Sequence, residues 1–145
     1  MSNLFNPQDY QTFVNRLEAL QHDQQPLWGR MTPAQMLAHC TEIQEACNGK
    51  PLTNTPFFVR LFKGFIKKSV LSDTPYKQGI PTHPQYVVTN QKDFALEKAI
   101  FLASLERFVA NTSSVEHTLF GTLSAEERNK IIVKHHHHHW AQFGL

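Results

Sequence analysis

Two segments fix where helices must begin. Ser124-Ala125-Glu126-Glu127 and Thr32-Pro33-Ala34-Gln35 both have capping-box spacing. In each, a hydroxyl accepts from the backbone N–H three residues on, and the Glu or Gln there reaches back to the cap. Pro33 adds a residue preorganised for the first helical turn. Each box opens a stretch with helical periodicity, so a predominantly helical fold follows before any other element is considered.

The helix opened by Ser124 runs into five consecutive histidines, His135 to His139, and continues through Trp140-Ala141-Gln142-Phe143-Gly144-Leu145. A purification tag seldom continues a native helix, so the run reads as part of the fold. At about 100° per residue, His135, His138, His139 and Gln142 share the side marked by Arg128, Ile131 and Ile132, while His136 and His137 turn outward to the surface. His135 and His139 stand at i and i+4, where two imidazoles stack on one face and can reach one ion. A site with an open position needs a third donor from elsewhere. The best candidate is His39, in the helix opened by Thr32 and ended by Asn48-Gly49, where it borders the seam Met36, Cys40, Ile43 and Cys47. Gln142 can accept the second ring N–H of a bound histidine. His138 is either an outer partner or an alternative ligand.

The remaining elements follow from the same signals. Asn6-Pro7 opens a first helix with Tyr10, Phe13, Val14, Leu17 and Leu20 in register, ending near Gln21 or His22. A shorter amphipathic helix is expected from Phe57 to about Val70. It sets Phe57, Phe58, Leu61, Phe62, Phe65 and Ile66 opposite Arg60, Lys63 and Lys67, and its phenylalanines are expected to pack on the other helices. Pro75, Pro81 and Pro84 make residues 72–89 a long loop, with Tyr76, Lys77 and His83 as candidate pocket walls. Thr89 or Asn90 is expected to cap a long helix to about Asn111, and a plain connection through Val115 to Gly121 leads to the last helix. The count is four principal helices and one short one, an all-α fold.

At 145 residues the chain fits one domain, 1–145, and its 41% hydrophobic content with eleven phenylalanines can fill a core without staples. No apolar run approaches the ~18 residues of a membrane span. A formal charge of +2 is too small for a nucleic-acid footprint. The N-terminal segment lacks the pattern of a secretory signal, so a cytoplasmic location is the default expectation. Cys40 and Cys47 are two helical turns apart, too far for a disulfide, and read as reduced core residues. A Ser/His/Asp triad, a Walker loop and a dinucleotide fingerprint have no local signature here.

The segment from Trp28 through Gly29-Arg30-Met31-Thr32-Pro33-Ala34-Gln35-Met36-Leu37-Ala38 to His39 resembles the DinB-like metal-binding four-helix bundles, as do Lys134-His135, His138-His139 and Gln142-Phe143-Gly144. Gly79-Ile80-Pro81-Thr82 and His117-Thr118-Leu119-Phe120-Gly121-Thr122-Leu123-Ser124 extend the likeness to a subfamily of unknown function, so it covers most of the chain. The resemblance implies a four-helix bundle with an extra short helix and a Pro-containing loop between its second and third main helices. It further implies a divalent ion, such as zinc, nickel or iron, held by His39, His135 and His139, with His138, Gln142, His117 and Trp28 as outer partners or pocket residues. Wider relatives include transferases that use low-molecular-weight thiols and a thiol-dependent maleylpyruvate isomerase, and members often form homodimers. His136 and His137 stand where the subfamily usually has apolar and acidic residues.

Two functions are therefore expected to compete. One is a metal-dependent thiol transferase or hydrolase-like enzyme acting on a small molecule, in which the ion activates a thiol or water. The other is a non-enzymatic metal-binding or stress-response dimeric bundle. Neither nucleic acid nor membrane is an expected partner, although a basic amphipathic helix such as 57–70 has a membrane-surface reading as well.

Overall fold

The computed structural model describes residues 1–145. Six helices dominate, α1 (Pro7–Glu18), α2 (Pro33–Cys47), α3 (Phe57–Leu61), α4 (Lys63–Leu71), α5 (Phe94–Ala110) and α6 (Ala125–Gln142), with one 3-10 turn at Pro84–Tyr86. Both capping boxes form: the Thr32 hydroxyl accepts from Gln35 N at 3.2 Å and Gln35 Oε1 accepts from Thr32 N at 3.0 Å. At α6 the same exchange links Ser124 and Glu127. Asn6 caps α1 through its side chain, accepting from Gln8 N and Asp9 N.

The long helices enclose a shared core. Phe13 and Leu17 of α1, Met36, Leu37 and Ile43 of α2, Phe101, Leu105 and Phe108 of α5, and Ile132 and Trp140 of α6 are all buried in one cluster. Trp140 joins three helices, its ring 5.0 Å from Phe13 and 5.8 Å from Phe101. Side chains of α2 also bind the backbone of α5, with Gln44 Nε2 donating to Phe101 O and Asn48 Nδ2 to Ser104 O. Both cysteines are free and buried. Burial pushes the Cys47 thiol up to about 12 and the Cys40 thiol well above its ordinary value, so neither is a ready nucleophile.

Four expectations from the sequence are corrected. The plain connection before α6 is an antiparallel hairpin, β1 (Val115–His117) with β2 (Gly121–Leu123), pairing Val115 with Leu123 and His117 with Gly121. Its strands are too short to show a periodicity of their own. The cap of α5 is Asp93, whose carboxylate accepts from Leu96 N at 2.8 Å, and not Thr89 or Asn90. The carbonyls of those two residues are instead held by Gln35 Nε2.

The third correction concerns the expected helix from Phe57 to about Val70, which is interrupted at Phe62 and divides into α3 and α4. Its aromatic face does not pack inward: Phe57, Phe58, Leu61, Phe62 and Phe65 are 56–75% exposed. Instead α4 meets the core through Val70 and Leu71, and Lys134 of α6 clamps its end by donating to Ser69 O and Ser72 O. The fourth is His136, which is fully buried and does not face solvent. No helix is long and apolar enough to cross a membrane.

Candidate metal centre

His39 from α2 and His135 and His139 from α6 converge, and one ring nitrogen from each lies within 4.8 Å of the other two. The ring centroids are 4.6 to 4.9 Å apart. Tetrahedral zinc with bonds of ~2.0 Å separates its nitrogen ligands by about 3.3 Å, so the trio lies within small side-chain rotations of a ligand set.

Hydrogen bonds fix which nitrogen each ring offers. His39 Nδ1 lies 2.7 Å from Tyr86 O, an acceptor only, so Nδ1 carries the proton and Nε2 carries the lone pair. His139 Nδ1 lies 2.7 Å from Gln142 Oε1. The amide of Gln142 is itself oriented, because its Nε2 donates to Trp28 O at 2.9 Å. His139 is thereby held as the Nδ1–H tautomer with Nε2 free. A proton donated outward to an oxygen, with the other nitrogen bare, is the usual arrangement of metal-ligating histidines.

His135 completes the network. Its Nε2 is 3.0 Å from His39 Nε2, and its Nδ1 is 3.3 Å from His136 Nδ1. Since His39 Nε2 has no proton, the first contact requires His135 Nε2–H as donor. His135 Nδ1 then accepts from His136 Nδ1–H. For His135 to present a lone pair to a cation, its proton must move to Nδ1, where His136 Nδ1 becomes the acceptor.

Burial keeps these imidazoles neutral, as ligation requires. It lowers His39, with a neighbouring charge on His138 adding to the effect, and it holds His135 and His136 well below the ordinary value together with the surrounding rings. His139 is pushed down to about 3, chiefly by burial and then by His39. A second donor group, Cys40 with His135 and His136, also exists. It is the weaker set, because the Cys40 thiol is protonated in its buried surroundings and His136 Nδ1 already faces His135 Nδ1.

The other expected residues lie as follows. The His138 ring makes edge-type contacts with Trp28 and Tyr76, with centroids 5.6 and 5.8 Å apart, and both residues line a cavity of ≈440 Å³ with His138 and Lys134. The Tyr76 and His135 ring centroids are 6.5 Å apart and those of His138 and His139 5.2 Å, so two of the cavity's walls neighbour the trio, although none of the three donors lines the cavity itself. Burial raises the Tyr76 phenol to about 12. Lys77 is exposed, and His83 organises the Pro84–Tyr86 turn by accepting from Gln85 N. His117 is a turn residue too: its Nδ1 accepts from Leu119 N and Phe120 N, and its ring stacks on Phe120 at 4.5 Å. Its ring is occupied by the hairpin and takes no part in the donor cluster.

His136, which the periodicity places outward, lies buried beside His135. Its ring is packed among Phe13, Phe101 and Trp140, and the expected outward pair is corrected because His137 is also half-buried beside Phe13. The signal was present in the spacing Ile132, His136, Trp140, an i, i+4, i+8 row on a helix that buries more than one face.

The family model described as "Protein of unknown function (DUF1569)" matches residues 4–144, a span that contains all three donors. The chain belongs to this family. None of the curated proteins and none of the solved structures matches it.

Proposed function

We propose that this protein is a divalent-metal-binding protein of the DinB-like four-helix type, with α1, α2, α5 and α6 as the bundle and His39, His135 and His139 as the ligands. The observation that carries the reading is the pair of preset tautomers. His39 and His139 each spend Nδ1–H on an oxygen, leaving two Nε2 lone pairs for the same space. His39 Nε2 is met only by His135 Nε2–H, and His139 Nε2 by no hydrogen bond, so a shift of the single His135 proton to Nδ1 turns three lone pairs toward one space. The donor set fits zinc, nickel or iron(II), for all of which imidazole is a suitable ligand.

We further propose that the site is catalytic, as a thiol transferase or a hydrolase-like enzyme. Three protein donors without a carboxylate among them leave a coordination position free, and Tyr76 and His138, whose rings neighbour His135 and His139, line a cavity. The ion would act as a Lewis acid, lowering the pKa of a bound thiol or water so that a nucleophile exists at neutral pH. The protein's own part is to hold His39 and His139 in fixed tautomers and to move the His135 proton toward His136. Trp28, Tyr76, Lys134 and His138 form the walls against which a small substrate or a low-molecular-weight thiol would be oriented.

The test is cobalt substitution followed by titration with thiols and with azide. An open site gives ligand-dependent changes in the visible bands, which are lost in His139→Ala. A cobalt spectrum indifferent to both probes would establish a closed site and favour the non-enzymatic metal-binding role.

A further inference from the structure

The face formed by α3 and α4 is unlike the rest of the surface. Phe57, Phe58, Leu61, Phe62 and Phe65 are all more than half exposed within nine residues. At ~200 Å² for a whole aromatic side chain, this amounts to roughly 600 Å² of clustered apolar surface, at the upper end for a patch left bare on a monomer.

Charge identifies the occupant. Residues 46–72 contain Lys50, Arg60, Lys63, Lys67 and Lys68 and no aspartate or glutamate, whereas all twelve acids of the chain lie elsewhere. Arg60, Lys63, Lys67 and Lys68 take part in none of the ion pairs of the structure. Lys67 donates to a carbonyl, Phe120 O, and thus keeps its charge unneutralised. A second copy of the chain is the poorer match, because a two-fold interface apposes this acid-free segment to itself and offers Arg60, Lys63 and Lys68 no anionic partner. A surface that is apolar within and anionic at its rim is the complementary one.

We infer that α3 and α4 form a docking face for an anionic lipid bilayer, the phenylalanines entering the acyl boundary while Arg60, Lys63 and Lys68 meet the headgroups. This goes beyond the metal reading and does not depend on it. The face is firmly mounted. Lys134 Nζ ties the end of α4 to α6 at 2.8 and 3.0 Å, one residue before His135, and stands 4.4 Å over the Tyr76 ring. Docking therefore holds the cavity beside Tyr76 and His138 in a fixed relation to the bilayer.

Flotation of the full chain with vesicles of phosphatidylcholine alone, or of phosphatidylcholine with phosphatidylserine, tests the inference. Two surface variants accompany the wild type: Phe58→Ser/Phe62→Ser/Phe65→Ser and Arg60→Glu/Lys63→Glu/Lys68→Glu, with circular dichroism to verify their fold. The wild type is expected to float with the anionic vesicles at low salt and to be released by high salt. The charge variant should bind at least about 100-fold more weakly, from roughly fivefold per cation, and the phenylalanine variant should not float. Absence of flotation at low salt, or equal binding to neutral and anionic vesicles, overturns the inference. So does a wild-type dimer in light scattering that the phenylalanine variant converts to monomer without any vesicle binding, which would assign the face to a second copy of the chain.

Discussion

Gln142 Oε1 accepts from His139 Nδ1 at 2.7 Å, and the same amide donates from Nε2 to Trp28 O at 2.9 Å. One side chain at the end of α6 therefore reads the carbonyl of a distant segment and transmits that orientation to a candidate ligand. Replacing Gln142 by Ala frees the His139 ring to rotate and to change tautomer. Metal affinity, measured by competition with a chromophoric chelator, is expected to fall about 10- to 100-fold. Unchanged affinity would remove Gln142 from the site.

Gly29 is bound to the same unit. Its φ of +75° lies in the left-handed region, and a Cβ there would stand 2.8 Å from Gln142 Nε2. Gly29→Ala is expected to lower unfolding stability by about 1–2 kcal/mol from backbone strain, and to weaken metal binding by displacing the amide. Denaturant titration and the chelator competition read the two effects separately. A stability loss with full affinity would show that Gln142 can yield without disturbing His139.

His136 offers a contrast between folding and binding. Its Nε2 is buried without a partner, a condition that costs about 1–3 kcal/mol, while its neighbours Phe13, Phe101 and Trp140 are aromatic. His136→Phe should therefore leave the melting temperature unchanged or raise it. It should nevertheless weaken the ion about tenfold or more, because His135 Nδ1–H loses its acceptor. A variant stable and fully metal-competent would show that His135 needs no such partner.

Acid should unfold the protein through its histidines. His139 is held down at about 3 and His117 at about 4, both chiefly by burial, against an ordinary value of 6.5. Folded pKa values below the unfolded one mean that the unfolded chain binds more protons in this window. The contribution of each is thus fully present above pH 6.5 and falls by about 1.4 kcal/mol per pH unit as the pH drops toward the folded value. Chelator-treated protein, followed by circular dichroism, should lose stability steadily between pH 6.5 and about 4. A flat profile across that range would contradict buried neutral imidazoles.

Much of this was legible because local chemistry decided it. The capping boxes at Thr32 and Ser124 announced two helices before any packing was known, and the i, i+4 spacing put His135 and His139 on one face. His39 was legible only as a candidate, since nothing local states that α2 and α6 bring it to within 3.0 Å of His135. The errors arose where tertiary context prevailed. Periodicity places His136 outward when a helix has a single buried face, whereas α6 is enclosed on several. Apolar periodicity, which normally marks a core face, places Phe57 to Phe65 inward, but here α4 is held by its far end and by Lys134. Asp93 lost out to Thr89 and Asn90 only because several good caps stood within five residues. Tyr86 contributes through its carbonyl, which no side-chain pattern can reveal.

The central claim is that three histidines from two helices hold one ion. Elemental analysis of protein prepared without a metal column, wild type beside His39→Ala, tests it most directly. Wild type should carry about one equivalent of divalent metal per chain, and His39→Ala should carry little or none while retaining its helical spectrum. A folded wild type free of metal that also fails to take up added zinc, nickel or iron, or a His39→Ala variant as fully loaded as wild type, would contradict the account.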